Sequence, residues 1–377
     1  MINFQEIKIF ESALGQHNMI TILQKSSENS DYLCNQIVAL EKGAITQQQL
    51  IQIINGESNL AQSGRIHSSE IYDGDENYIR FISGEGLSSV LGKVASGKQT
   101  LGSLVHVNQG IISGIDKFTN SWKLKFPSIQ AEIGTPVFVF PAGAKKFPHL
   151  KPWFKNSDVF KFVTATDARM EILWLGRGRP KPTKVEMEYL KQFYPILSAR
   201  MEFLLEKRPW YELHRAREET LFTGPKLVNS YRTFDNAFAY SDTPFFGGAD
   251  LTYISSFEEE KIDLFFLLGL LNSDLVYAWF YFRGKRKGEM LELKQVPVSE
   301  VPIARDRQLE KSIAQEAKSV FEDLKLDPKT PIHSQLESIN NLVYKLYDLN
   351  SIEVKVIKEF VSTKAQIRNN RVDENEI

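Results

Sequence analysis

The chain has 377 residues, of which 42% are hydrophobic and 25% are charged, and its formal net charge is −1. This length allows two or three domains, and this composition excludes a largely disordered or membrane-embedded protein. A net charge so close to zero excludes binding of nucleic acid through bulk positive charge alone. The first residues lack the pattern of a secretion signal and Cys34 is the only cysteine. We therefore expect a cytoplasmic protein without disulfides and without a membrane partner.

The N-terminal part is predicted to be a short β/α layer. Apolar and polar residues alternate around residues 7–9 and 20–22, which predicts a hairpin. After Asp31 the pattern fits either helical pieces or a helix and a strand joined at Gly43. Residues 55–90 are polar and rich in Ser and Gly, and we interpret them as a connector.

From about residue 100 the sequence predicts a mixed β-sheet with long loops and inserted helices. The β-rich runs are residues 104–107, 136–140, 172–175, 226–228 and 251–254. A helix is predicted over residues 184–205, and a buried one over residues 262–282 with an interruption at Asn272 and Ser273. The fold class predicted for the whole chain is α+β.

The C-terminal part is predicted to be helical, with helices at residues 309–324, 332–346 and 351–361. The second helix carries an apolar stripe from Ile332 to Leu346 that repeats every three to four residues. Asn350 and Glu353 have the spacing of a capping pair for the third helix. Residues 364–377 are polar and are expected to be a disordered tail.

Motifs for catalysis and metal binding are weak. The run Gly-Lys-Val-Ala-Ser-Gly-Lys at residues 92–98 begins like a phosphate-binding loop, but Gln99 stands where a Ser or Thr would hold magnesium. The six histidines are scattered, so no metal site is expected. Asp274, Glu292 and Lys294 fit the pattern of a magnesium-dependent nuclease. Such triplets also arise often by chance.

Basic residues concentrate in three loops. Together these loops fit one groove for a polyanion, and equally they fit three unrelated solvated loops. The clusters are Lys145, Lys146, Lys151 and Lys155; Arg177, Arg179, Lys181 and Lys184; and Arg283, Lys285, Arg286 and Lys287.

One stretch combines aromatic rings, guanidinium groups and hydrogen-bonding side chains. It begins with Trp-Tyr-Glu-Leu-His-Arg-Ala-Arg at residues 210–217 and continues through residues 225–240. Stacking on bases and contact with phosphates both require this mixture. The stretch indicates nucleic-acid binding.

Several motifs, in order along the chain, resemble one family. They are Val-Asn-Gln-Gly-Ile-Ile-Ser-Gly-Ile-Asp at residues 107–116, Pro152 to Asp158, the motif at residues 210–217, Leu-Gly-Leu-Leu-Asn-Ser at 268–273, Gly-Lys-Arg-Lys-Gly at 284–288, Glu-Leu-Lys at 292–294, Val-Pro-Ile at 301–303, and Leu-Val-Tyr-Lys-Leu-Tyr-Asp-Leu at 342–349. Over roughly residues 100–360 the set resembles the C-terminal part of type IIG restriction-modification enzymes and adenine-specific DNA methyltransferases with a TaqI-like target-recognition domain. Ser113 departs from the family's usual Thr.

The resemblance implies a domain organisation. Residues 1–85 would be the edge of a methyltransferase fold and a connector, and residues 86–303 the target-recognition domain. Residues 304–363 would be a helical segment, followed by the tail at 364–377.

The resemblance also implies sequence-specific recognition of duplex DNA. The family's Gly-rich cofactor loop and Asn-Pro-Pro-Tyr motif do not occur in this sequence, so we expect this chain to be non-catalytic and to bind no S-adenosylmethionine. Its expected partners are duplex DNA and a methyltransferase or nuclease portion. Two alternatives stay open, namely a protein-interaction module that docks through the Ile332–Leu346 stripe and the magnesium nuclease.

Candidate DNA contacts follow from side-chain chemistry. Arginine can pair with guanine edges and asparagine with adenine, whereas lysines flanked by glycine suit phosphates. Trp210, Tyr211 and His214 fit equally well a scaffold that holds loops in place. The candidates are Arg177, Arg179, Trp210, Tyr211, His214, Arg215, Arg217, Lys226, Arg232, Asn236, Arg283, Lys285, Arg286 and Lys287.

Overall fold

The structure, a computed structural model, confirms the α+β class, with helices and several small mixed sheets. It describes residues 1–5, 7–10, 18–25, 31–40, 43–57, 59–68, 71–73, 78–79, 86–176, 181–206, 208–258 and 261–375.

An N-terminal sheet has the strand order β2-β1-β3-β4 and is covered by one helix, α1. Strand β1 runs antiparallel to β2, and its residues 2–3 pair with 19–20. The hairpin predicted from residues 7–9 and 20–22 is therefore wrong in its first strand, because Ile7 forms a bridge with Gly43 instead. A strand precedes Gly43 and a helix follows it, which selects one of the alternatives for this segment. The elements are β1 (Ile2–Asn3), β2 (Met19–Ile20), β3 (Leu33–Ala39), α1 (Gln47–Ile54) and β4 (Ala61–His67).

The connector predicted at residues 55–90 is wrong for much of its length. Strand β4 pairs with β3 over seven residues. Only Ala61 and Ile66 of β4 are buried, so its apolar pattern is too sparse to indicate a strand. The segment also contains β5 (Tyr72–Asp73), β6 (Tyr78–Ile79) and the start of helix α2 (Leu87–Ala95).

A five-stranded sheet, in the order β11-β15-β13-β17-β8, forms the centre of the molecule. A four-stranded sheet, β16-β10-β12-β9, lies beside it. The elements between residues 99 and 256 are β7 (Gln99–Thr100), β8 (Val105–Gln109), α3 (Asn120–Lys125), β9 (Val139–Pro141), β10 (Leu150–Phe154), β11 (Phe162–Val163), β12 (Met170–Leu173), α4 (Lys184–Lys191), α5 (Tyr194–Ser198), α6 (Met201–Glu206), α7 (Thr220–Thr223), β13 (Lys226–Ser230), β14 (Arg232–Thr233), β15 (Phe238–Ser241), β16 (Phe246–Gly247) and β17 (Leu251–Ser256).

The remaining elements are mostly helices. They are α8 (Leu264–Leu271), α9 (Asp274–Arg283), β18 (Lys285–Lys287), β19 (Met290–Glu292), α10 (Gln295–Ser299), β20 (Pro302–Ile303), α11 (Arg307–Leu326), α12 (His333–Leu346) and α13 (Ser351–Asn375). Strands β14, β19 and β18 form a separate three-stranded antiparallel sheet, and β20 pairs with β7.

Both faces of the central sheet are buried. Successive residues of a strand point to opposite faces, so neighbouring residues belong to different cores. Leu227 and Ile254 pack into a core shared with the C-terminal helices. Their neighbours Val228 and Tyr253 pack into a second core shared with the four-stranded sheet. The helical core contains residues from Leu87 to Ile357, so residues on both sides of the expected boundary at 303 contribute to it.

The helix predicted over residues 184–205 is divided into α4, α5 and α6. Pro195 lies in the first turn of α5, where a missing N–H is tolerated, and a proline there starts a new helix rather than continuing the old one. The interruption of the second predicted helix is confirmed. Helices α8 and α9 meet at an angle of 67° at Asn272 and Ser273.

The C-terminal helices form as predicted, and the apolar stripe of α12 faces a core. Ile339, Val343 and Leu346 of the predicted stripe are buried in the helical core, so the stripe is not available to a partner protein. The Asn350 cap is confirmed, since its Oδ1 accepts the N–H of Glu353 at 3.0 Å.

Helix α13 continues to Asn375, through the segment where a disordered tail was expected. Neither Gly nor Pro occurs in this segment to end the helix.

Among the described residues no single helix is long and apolar enough to cross a membrane, and α8 with α9 meets that criterion only as a bent pair.

Candidate functional site

Two exposed lysines and a half-buried arginine lie on the hairpin formed by β18 and β19, residues 285–292. Lys287 pairs with Met290, so only Gly288 and Glu289 form the turn. Gly288 has φ +60°, which glycine adopts without strain at the first central position of such a turn. The chain enters the hairpin from α9 through Gly284, where a Cβ atom would lie 2.5 Å from the carbonyl oxygen of Phe280.

The side chains of β18 alternate between surface and interior. Lys285 and Lys287 are exposed, whereas Arg286 is half-buried. The Arg286 guanidinium lies 3.8 Å from the centre of the Tyr281 ring and donates to the carbonyl of Gly288 at 2.8 Å. Arg286 therefore stabilises the hairpin, and the two lysines face solvent.

The turn of the hairpin is anchored to two helices. The Tyr281 hydroxyl of α9 donates to Glu289 at 2.9 Å, and Lys364 of α13 pairs with the same carboxylate at 3.1 Å. Burial opposes ionisation of Glu289, but the charge of Lys364 and these hydrogen bonds hold its pKa below the usual value. Burial also raises the pKa of Tyr281 strongly. The hairpin is thus fixed relative to the core.

Strand β14 extends the hairpin to a three-stranded sheet, which we call the cationic sheet. Arg232 pairs with Glu292 in the backbone register, and its Nε donates to the Glu292 carboxylate at 3.0 Å. Lys294 lies 4.2 Å from the Tyr231 ring centre. The sheet and its flanking residues carry six cations against two carboxylates, namely Arg232, Arg283, Lys285, Arg286, Lys287 and Lys294 against Glu289 and Glu292.

The motif at residues 210–217 holds loops together. Arg200 donates to the carbonyl oxygens of Trp210 and Glu212, each at 2.7 Å. The backbone of Arg215 exchanges hydrogen bonds with Ile112, at 2.8 and 3.0 Å. The segment is therefore tied through its backbone to the loop that follows β8.

The side chains of this motif differ in accessibility. Trp210 is half-buried and makes edge contacts with Tyr194 and Tyr211. The carbonyl of His214 accepts from Arg208 at 3.1 Å. These contacts fit the scaffold alternative.

The two arginines of the motif also differ. Arg215 is exposed. Arg217 has φ +62° and its Nε donates to the Gly110 carbonyl at 3.2 Å. Burial, followed by the charge of Arg215, lowers the pKa of Arg217. Of the two, Arg215 is the one whose side chain faces solvent.

Two predicted DNA contacts are inaccessible. Lys226 is fully buried and donates to the carbonyls of Gly224 and Thr243, at 2.9 and 2.7 Å. Asn236 is also buried and donates to the carbonyls of Leu271 and Ser273. Their polarity suggested surface positions, but both lie where the central sheet is covered, and they satisfy backbone groups there.

The basic cluster of residues 145–155 contacts side chains at the second core. Lys151 pairs with Glu219 at 2.7 Å, and Lys145 lies 4.9 Å from the Tyr189 ring centre. Arg177 and Arg179 lie outside the described residues.

The residues proposed for a nuclease are separated. Asp274 begins α9, whereas Glu292 pairs with Lys285, just beyond the end of that helix. Ten helical residues span about 15 Å, far more than one metal ion can bridge. Burial raises the pKa of Asp274. Among the described residues no group of three or more His, Cys, Asp or Glu is placed to hold a metal ion.

Tyr231, Glu292 and Lys294 were not among the predicted DNA contacts, although Glu292 and Lys294 were considered for a nuclease and form part of the motif at residues 292–294. The sequence signal that places Glu292 beside the basic strand is the Gly288-Glu289 turn. With a two-residue loop assigned there, Lys285 is placed opposite Glu292.

Comparisons with known proteins found similar solved structures but no similar sequence family. No family model matches the sequence, and no curated protein matches it. The chain is similar to the type IIL restriction-modification enzyme MmeI, solved in complex with DNA, with a TM-score of 0.48 and 13% identity over 89% of this chain and 42% of that one. It is also similar to the type IIG restriction endonuclease BpuSI, with a TM-score of 0.38 and 9% identity over 84% of this chain and 39% of that one. This chain spans less than half the length of each of these two proteins.

Proposed function

We propose that this chain is a target-recognition module for duplex DNA, which acts with the methyltransferase and nuclease portion of a restriction-modification enzyme. The observation that carries the proposal is the cationic sheet, where exposed lysines stand on a hairpin anchored to the core. The ordered motifs of the sequence support the same role, because their resemblance implies DNA recognition.

The chemistry of the cationic sheet suits a DNA surface. Lys287 is exposed and forms no ion pair with any other described residue, and Lys294 is exposed on the adjoining segment. Lysines of this kind neutralise phosphates and release counterions, which supplies much of the affinity of proteins for DNA. The anchored turn keeps these charges in a fixed arrangement, so less conformational entropy is lost on binding.

The proposed role is recognition without catalysis. We propose that methyl transfer and S-adenosylmethionine binding belong to the partner portion, since this sequence contains no Asn-Pro-Pro-Tyr motif. Among the described residues, no cluster of acidic side chains supports the nuclease alternative. The α12 stripe is buried in the helical core, so it does not support docking of a partner protein.

The proposal is tested by binding of the purified chain to a fluorescent duplex, followed by anisotropy. The variant Lys285→Gln/Lys287→Gln/Lys294→Gln removes three exposed charges from the cationic sheet. We expect its affinity for duplexes of any sequence to fall about ten- to a hundred-fold at low salt.

The matched control removes three exposed lysines elsewhere, Lys311→Gln/Lys318→Gln/Lys329→Gln, on and after α11. It has the same net charge as the test variant and is expected to bind as the wild type does. Equal losses in both variants would mean that only bulk charge matters, and that result would refute the proposed interface.

A further inference from the structure

Among the candidate arginines that the structure describes, Arg232 has a charged end that is exposed and hydrogen-bonded to two other side chains. Its Nε and Nη2 both contact Glu292 Oε1 at 3.0 Å. Nη2 also donates to the Tyr231 hydroxyl at 3.2 Å, and the guanidinium carbon lies 4.8 Å from the centre of the Tyr231 ring. The Tyr231 hydroxyl in turn donates to Glu292 at 2.9 Å. The three side chains form a closed set of hydrogen bonds.

The backbone beneath this set is also fixed. The N–H of Tyr231 donates to the backbone carbonyl of Asp250, just before β17, at 2.7 Å, and the Tyr231 carbonyl accepts from the N–H of Leu293 at 2.8 Å. Arg232 then pairs with Glu292 in the register of β14 and β19. The guanidinium is therefore oriented before any ligand arrives, and little rotamer entropy remains to be lost.

The other candidate arginines of the described chain are held differently. Arg286 lies against Tyr281 and donates to Gly288. Arg217 donates through Nε to the backbone of Gly110. Arg232 differs from these two because a carboxylate and a hydroxyl set its orientation while its side chain remains 44% exposed.

The carboxylate partner decides what Arg232 can recognise. An arginine paired with a glutamate adds little net positive charge, so it contributes weakly to attraction of phosphates. A carboxylate at a phosphate-binding position would also repel the negatively charged phosphates of the DNA. The N–H groups at Nη1, which Glu292 and Tyr231 do not use, are suited to hydrogen-bond acceptors on a neutral base edge.

We propose that Arg232 reads a guanine in the major groove and that Glu292 and Tyr231 are the residues that position it. The inference rests on the proposed function and assigns the base-reading part of the same surface. Lys285, Lys287 and Lys294 then contact phosphates on either side, which separates recognition of sequence from attraction to DNA.

The test is selection of duplexes from a random library by the wild-type chain, followed by sequencing of the bound fraction. The variant Arg232→Lys keeps the positive charge but loses the oriented N–H groups of Nη1. We expect the preference for guanine at one position to fall about 10- to 100-fold, with the other positions and the salt dependence of binding unchanged. Glu292→Gln and Tyr231→Phe should weaken the preference at that same position.

The double variant shows whether Glu292 acts by positioning Arg232 or contacts the DNA itself. Adding Glu292→Gln to Arg232→Lys should cause no further loss of preference, because the oriented group is already gone. An independent contributor would add its own loss.

The control is a second exposed Arg–Glu pair. Arg305 and Glu310 have 46% and 17% exposed side chains, against 44% and 21% for Arg232 and Glu292, and their N···O distance is 2.7 Å. Arg305→Lys and Glu310→Gln should leave the selected sequences unchanged.

Three results would overturn the inference. An Arg232→Lys chain that selects the same sequences as the wild type would do so, as would one that loses affinity equally for all of them. A wild-type chain that binds duplex DNA without any preference would refute base reading and leave the proposed DNA binding intact. Absence of any duplex binding would refute the proposed function itself.

Discussion

At the residue scale, Lys226 is a buried ammonium surrounded by backbone oxygens. Its Nζ lies 2.7 Å from the Thr243 carbonyl and 2.9 Å from that of Gly224. Burial lowers the pKa of Lys226 to about 8, although the nearby charge of Asp242 opposes that change. These carbonyls partly replace the water that the ammonium has lost, but the folded state still favours the neutral amine compared with the unfolded chain.

The lowered pKa predicts a pH dependence of stability. Between pH 8 and 10.5 the unfolded chain binds more protons at this site than the folded one, so the free energy of unfolding rises with pH through that window. Below pH 8 both states are protonated and the cost of burying the charge is fully present. We expect the wild type to gain about 2–3 kcal/mol relative to Lys226→Met across the window.

Urea unfolding of both proteins at several pH values measures this difference. The other titrating groups are the same in both proteins, so their contributions cancel in the difference between the two free energies of unfolding. A difference that stays constant from pH 7.5 to 10.5 would contradict the lowered pKa.

Asn272 provides a second prediction at the residue scale. Its side chain accepts the N–H of Phe238 and donates to the Phe238 carbonyl, both at 2.9 Å. Removing the amide would leave both buried backbone groups unsatisfied. We expect Asn272→Ala to lower the free energy of unfolding by about 2–4 kcal/mol in a urea titration. The exposed Asn120→Ala should change it by less than about 0.5 kcal/mol, and similar values for both variants would disprove the role of Asn272.

At the element scale, helices α8 and α11 approach closely at Gly269. A Cβ atom there would lie 2.7 Å from a methyl carbon of Ile313 and 3.2 Å from the Cβ of Ala317. Both neighbours are fully buried, so neither can move without disturbing the core.

A pair of glycine-to-alanine changes tests this contact. Gly269→Ala should lower the free energy of unfolding by about 1–3 kcal/mol, since overpacking outweighs the gain in helix propensity. Gly92 lies in helix α2 with no atom within 4 Å of its would-be Cβ, so Gly92→Ala should be neutral or stabilising by up to about 1 kcal/mol. If thermal or urea unfolding shows that both variants are more stable than the wild type, the close packing at Gly269 is contradicted.

Predictability from sequence differed between elements for physical reasons. The buried strands β13 and β17 and the helices α11 and α12 were found because apolar periodicity is strong where elements pack on a core. Strand β4 was missed because its stability comes from pairing with β3 rather than from burial. The break before α5 depends on Pro195 within an otherwise continuous helical pattern.

At the scale of the whole molecule, the central sheet separates two cores and thereby decides which polar residues reach the surface. The sequence predicted the Lys-Arg-Lys segment at residues 285–287 as a candidate DNA contact, and this stays a prediction. It could not identify Lys226 and Asn236 as buried, because burial of β13 and of the segment before β15 depends on layers distant in sequence. Likewise, Arg232 and Glu292 are 60 residues apart, and only the strand register brings them together.

The central claim, that the cationic sheet contacts DNA phosphates, is tested most directly by the salt dependence of duplex binding. The slope of log affinity against log salt concentration reports the number of phosphates neutralised, at about 0.9 per contact. For Lys285→Gln/Lys287→Gln/Lys294→Gln we predict a slope smaller in magnitude by about 2 to 3 than that of the wild type, whereas Lys311→Gln/Lys318→Gln/Lys329→Gln retains the wild-type slope. Identical slopes for the wild type and both variants would contradict the account.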